Sequence, residues 1–173
     1  MAAKKSLVVL LGILMISAWV LGATIQAGAE TLKGKSILTA TKDESIPVND
    51  VPGHVLRLQI LEGLAVCENG EIVKLRTHSI SDGTPGKRAE AISYNTWTFE
   101  DGSTVVNRTH RLMVPDKSGT LSAKVTSEFI KGTGRFEGIK GTGAATGKNF
   151  LASEGEASRV FSDFTWTYTL PPK

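Results

Sequence analysis

The sequence predicts an all-β protein, a single eight-stranded antiparallel up-and-down β-barrel of the calycin-like kind, following an N-terminal signal peptide. Three observations predict it. From residue 30 onward no window sustains apolar residues at i, i+3, i+4 and i+7, as a helix packed on one face requires. Alternating runs rich in Val, Ile, Thr and aromatics recur instead between turn signals. The connections between them are short, and with no helix to cover a sheet the chain hides its strand edges most simply by closing on itself. A two-sheet sandwich is the competing architecture.

The export signal comes first. Lys4 and Lys5 precede an uncharged apolar run from Leu7 to Leu21, and Ala27-Gly28-Ala29 supplies a small-x-small cleavage pattern. Residues 1–29 are therefore expected to be removed, leaving a barrel domain over residues 30–173 outside the cytoplasm, secreted or periplasmic. Losing two lysines and no acid takes the formal charge from +3 to +1. A nearly neutral domain lacks the one-signed field that draws proteins to nucleic acid or anionic lipid. No later apolar run is long enough to insert in a bilayer as a helix. Cys67 is the only cysteine, so no internal disulfide supports the fold, and it reads as a small buried apolar residue.

The expected strands are Ser36–Thr41, Val55–Val66, Ile72–Ser81, Ala91–Phe99, Thr104–Val114, Leu121–Ile130, Gly141–Lys148 and Ala157–Leu170. Asn69-Gly70 and Asp101-Gly102 read as two-residue type I′ turns, because both central positions need positive φ. Register then follows by counting outward from each turn. Across the first, Val66, Leu64 and Ile60 share a face with Val73 and Leu75. Across the second, Trp97, Asn95 and Ser93 share a face with Val106, Arg108 and His110.

That second face supplies the candidate site. If it is luminal, Asn95, Trp97, Arg108 and His110 line a pocket with an aromatic wall and a few polar groups. Arg108 would bind a carboxylate and His110 would move a proton. The competing reading puts this face in solvent, where Arg and His on a strand need no explanation. His54, His78 and His110 are too far apart to show metal-ligand spacing, and no cofactor motif is present. No Gly-x-Ser-x-Gly elbow and no nucleophile paired with a base invites hydrolase chemistry.

The segment Gly132-Thr133-Gly134-Arg135-Phe136-Glu137-Gly138-Ile139-Lys140-Gly141 lacks the following helix that a phosphate loop needs. It reads as a sharp corner between strands with Phe136 plugging the core. It resembles the corner of the allene oxide cyclase and dirigent barrel superfamily, and the ending Trp166-Thr167-Tyr168-Thr169-Leu170-Pro171 is similar to that of its bacterial exported members. The resemblance implies structural roles for Gly132, Gly134, Phe136, Gly138 and Gly141, and a barrel that holds a small hydrophobic molecule. Three functions follow as expectations: an exported carrier of a small hydrophobic or amphipathic ligand, a cyclase or isomerase acting by substrate orientation, or a structural barrel with a filled lumen. Catalysis is the less favoured of these, and the oligomeric state stays open.

Overall fold

The structure is a computed structural model, and it describes residues 28–117, 120–150 and 156–172. The expected signal peptide falls outside the described residues except for Gly28 and Ala29, which are exposed coil. The remainder is a closed barrel in the order β1 (Glu30–Pro47), β2 (Val55–Cys67), β3 (Ile72–Gly83), β4 (Ala89–Thr98), β5 (Thr104–Pro115), β6 (Leu121–Gly132), β7 (Lys140–Phe150) and β8 (Arg159–Thr169). Every neighbouring pair is antiparallel, and β1 closes the cylinder by pairing with β8 from Glu30 opposite Tyr168 to Thr39 opposite Arg159. That closure rules out the sandwich. β1 begins six residues before its expected start and ends six after it.

The two hairpin turns differ from expectation, and the difference changes which residues face inward. At the β4–β5 turn Gly102 N–H donates to Phe99 O at 3.0 Å and Phe99 N–H to Ser103 O at 2.9 Å. The loop is thus three residues long, Glu100-Asp101-Gly102. Only its glycine has positive φ, at +80°, while the Asp101 carboxylate accepts from Ser103 N–H at 2.9 Å. This is a type I turn closed by a glycine bulge rather than a type I′ turn. The β2–β3 turn repeats it, with Cys67 N–H donating to Glu71 O at 2.9 Å and Gly70 at φ +90°. One extra loop residue shifts the register by one and sends the partner strand's opposite row inward. The Trp97 row therefore shares its face with Val105, Asn107, Thr109 and Arg111, not with Val106, Arg108 and His110. Likewise Val73 and Leu75 lie with Ala65 and Gly63, not with Val66 and Leu64.

Inside, the barrel has two unlike halves. The half nearest the described ends of the chain is aromatic and closed. Trp97, Phe99, Phe136, Phe164, Trp166 and Tyr168 pack together there with Leu75, Val105 and Ile139, with the Trp97 and Trp166 rings edge to face at 4.6 Å. The glycine corner is a single 3-10 turn, Gly134–Phe136, which inserts Phe136 under the barrel end as the sequence predicts. Arg135 lays its guanidinium 4.8 Å from the ring centres of both Phe99 and Phe136 and pairs with Glu71 at 2.6 Å. Cys67 is buried in this half, and burial, followed by the charge of Glu71, pushes its thiol pKa up.

Candidate binding site in the barrel lumen

Toward the opposite end, the inward rows of β3, β4 and β5 turn polar and small. Thr77 and Ser79, then Ser93 and Asn95, then Asn107 and Thr109 are all buried. They satisfy one another, because buried polar groups without partners are costly. Thr77 Oγ1 donates to Asn95 Oδ1 at 2.7 Å, Asn95 Nδ2 to Asn107 Oδ1 at 2.9 Å, and Ser93 Oγ to Ser79 Oγ at 2.9 Å. Trp97 Nε1 reaches Asn107 Oδ1 at 3.4 Å, so the indole spans the boundary between the two halves. Small apolar positions continue the lining: Ala91 and Ala123 are buried beside Met113.

Arg111 lies one step further along β5, on the same inward row. Its cross-strand neighbours are Ala91 on β4 and Val125 on β6, and it is 8% exposed. Its Nε has no hydrogen-bond partner among the described residues. Burial alone pushes its pKa down to about 10, which leaves the guanidinium charged at neutral pH. Asn149 on β7 is also buried, and its Oδ1 is likewise without a partner, while its Nδ2 reaches Met113 Sδ at 3.2 Å.

A second arginine at this end is compensated. A bulge between Ala40 and Lys42 in β1 sets Asp43 opposite Gln59, on the side of β2 that carries Arg57 and Leu61. Arg57 Nε donates to Asp43 Oδ1 at 2.6 Å, and Gln59 Nε2 to Asp43 Oδ2 at 2.9 Å. Burial alone would raise the Asp43 pKa, but these hydrogen bonds, the Arg57 charge and a bond from Ser158 together hold it below the usual carboxylate range.

Of the four residues expected at the site, the barrel brings Asn95 and Trp97 together inside. Arg108 and His110 are on the outer surface, where they pair with Glu128 at 3.3 Å and Glu90 at 3.4 Å. The turn length explains both placements. Arg111 was the residue missed, and it follows directly once Gly102 is read as the third loop residue. The outer surface also has a groove of about 930 Å³ across β2 to β5, floored by Leu56, Leu58, Ile80, Ile92 and Tyr94, with His110 on its edge. Its lining also includes Ser79 and Ala91 of the inward rows.

Comparison with known proteins finds likeness in fold. No protein-family model matches the sequence, and no curated protein does. A solved structure of a conserved protein of unknown function from Rhodopseudomonas palustris superposes with a TM-score of 0.54 at 13% identity, covering 81% of this chain and 98% of its own. A β-barrel-like protein from Acinetobacter baumannii gives 0.52 at 10% identity, with 82% and 97% covered. A pterocarpan synthase dirigent protein gives 0.47 at 12% identity, with 89% and 96% covered. The class these observations define is the closed eight-stranded up-and-down barrel, here with an aromatic half and a polar half.

Proposed function

We propose that this chain is an exported barrel that holds one small amphipathic molecule in the polar half of its lumen. The observation that carries the reading is the contrast in side-chain size between the halves. An eight-stranded barrel is just wide enough to be filled by its own side chains or to hold one small ligand. Six aromatic rings fill the closed half, whereas Ser79, Ser93, Thr109, Ala91 and Ala123 line the other. We take these small side chains to leave room for a ligand beside the larger Arg111, Met113 and Asn149 of the same half. Trp97 and Phe164, with ring centres 5.0 Å apart, would form the floor against which an apolar part of the ligand rests.

Binding is favoured over acid–base catalysis because the buried polar groups of this half are amides and hydroxyls apart from Arg111, whose pKa of about 10 keeps its proton in place at neutral pH, while the Asp43 carboxylate is engaged by Arg57. A cyclase or isomerase acting by orientation would use the same chamber and would add a product to the bound species. Export is part of the proposal: N-terminal sequencing of material recovered outside the cytoplasm should begin at Glu30, and a retained Met1 would exclude it.

Native mass spectrometry of the protein purified from its own host should show a bound small molecule. The companion variant is Ala91→Leu. If the chamber has room, the added bulk is tolerated and displaces the ligand. If the lumen is already filled, overpacking costs about 1–3 kcal/mol, and that result together with a ligand-free mass would leave the structural-barrel reading in its place.

A further inference from the structure

Arg111 needs a partner that the barrel wall does not supply. A guanidinium carries five N–H donors and keeps its charge in proteins. The Arg111 Nε is shut off from water with no acceptor among the described residues, and burying part of a charged group without an anion is unfavourable. The chain shows how it treats a compensated arginine at the same end, where Arg57 is clasped by Asp43 and Ser158. Arg111 has no carboxylate partner among the described residues, and its flanking inward neighbours are Ala91 and Val125. A guanidinium with no role would be easily replaced by an apolar side chain of similar length.

Asn149 adds a second, independent requirement. Its unpartnered Oδ1 is an acceptor in need of a donor, and its amide nitrogen touches Met113, the next inward residue after Arg111 on β5. One buried cationic donor and one buried neutral acceptor at the same end of one lumen specify a complementary molecule.

We infer that the lumen ligand is a small organic acid, with its carboxylate on the Arg111 guanidinium and a hydroxyl or N–H donor on Asn149 Oδ1. This rests on the lumen-binding proposal and deepens it by giving the ligand a charge. The carboxylate lies with the Arg111 fork, and the apolar body points down the barrel toward Trp97. Inorganic anions lack that body and would gain nothing from the aromatic floor.

The test uses 4-hydroxybenzoate and octanoate against their neutral counterparts 4-hydroxybenzamide and octanamide, titrated into the mature chain by calorimetry and by tryptophan emission. The carboxylates are expected to bind at least about tenfold more tightly than the amides, as a charge-assisted pair out of water should. Arg111→Met should abolish that preference while leaving amide binding in place. Inorganic phosphate at the same concentration should not displace them. Equal binding of acid and amide by the parent overturns the inference and leaves lumen binding intact, as does displacement by phosphate. Absence of binding by all four probes and by Arg111→Met would overturn both. The ligand-free melting temperature supplies a readout that needs no probe. Arg111→Met should melt above the parent, and a fall would mean that the chain itself partners this arginine, which also overturns the inference.

Discussion

Gly134 is a residue whose role is backbone geometry alone. It holds φ at +60°, and a Cβ built on it would lie 2.4 Å from Ser103 Oγ. That same hydroxyl accepts from Arg135 N–H at 3.1 Å, so it cannot move away without releasing the corner. Gly134→Val is expected to destabilise the barrel by about 1–3 kcal/mol, from strain at positive φ and the clash combined. Thermal melting measures it, and an unchanged melting temperature would contradict the corner geometry. Arg108 gives the opposite expectation. It lies on the outside, 48% exposed and paired with Glu128, and surface pairs of this kind contribute about 0–1 kcal/mol. Arg108→Ala should leave both stability and lumen binding close to the parent's, whereas loss of binding would return the site to the outer face.

Between elements, the open end is tied by contacts whose strength depends on pH. His54 in the β1–β2 loop places Nδ1 2.6 Å from Asp50 and Nε2 2.7 Å from Asp82 at the end of β3. The hydrogen bonds to Asp82 and then Asp50 raise its pKa above the ordinary 6.5. A histidine raised in the folded state contributes fully below its unfolded pKa, and the contribution fades as pH rises through the folded value. The loop over residues 48–54 should therefore exchange its amide hydrogens faster, relative to intrinsic rates, as pH climbs above 6.5, and His54→Gln should remove that pH dependence. A loop whose protection is flat with pH would show that His54 does not hold it. Elements of this kind also mark what the sequence made legible. The eight strands were readable because alternation is a local property of each run, and the corner was readable because glycine spacing and Phe136 are contiguous. The pairing of rows was not, because Asn-Gly and Asp-Gly suit both a type I′ turn and the last two positions of a three-residue loop. In both loops the side chain before glycine instead accepts from the backbone two residues on, Asn69 from Glu71 at 3.2 Å and Asp101 from Ser103 at 2.9 Å. Asn95 and Trp97 share one strand and so lie on one face whatever the turn, although alternation alone leaves open whether that face is inward. Arg111 was lost to the ambiguity of the turn.

At the scale of the whole molecule, stability depends on a seam between the first and last strands. β8 carries the aromatic row Phe164, Trp166 and Tyr168, and each of these stands opposite a glycine on a neighbouring strand: Gly34 on β1, then Gly143 and Gly141 on β7. The spaces are real, since a Cβ at Gly34 would meet Phe164 Cζ at 2.8 Å and one at Gly143 would meet Trp166 Cδ1 at 2.9 Å. The rings thus fill the lumen by lying over backbone that has no side chain of its own. Tyr168 secures the end of the seam by donating to Glu30 at 3.0 Å, and burial, reinforced by the Glu30 carboxylate, pushes its pKa up to about 12. Pairing the two ends of a chain is a long-range contact, and a barrel without it has two open edges. Deleting residues 30–35 removes Leu32 and Gly34 from the seam and uncovers part of Phe164 and Trp166. With net stabilities of about 5–15 kcal/mol typical of whole domains, losing one flank of the aromatic core should abolish the cooperative melt. Tryptophan emission should shift to the red, and the chain should sediment as larger species joined through the exposed edges. A truncated chain that melts as one unit at the parent temperature would show that seven strands suffice, and that closure by β1 is dispensable for the fold.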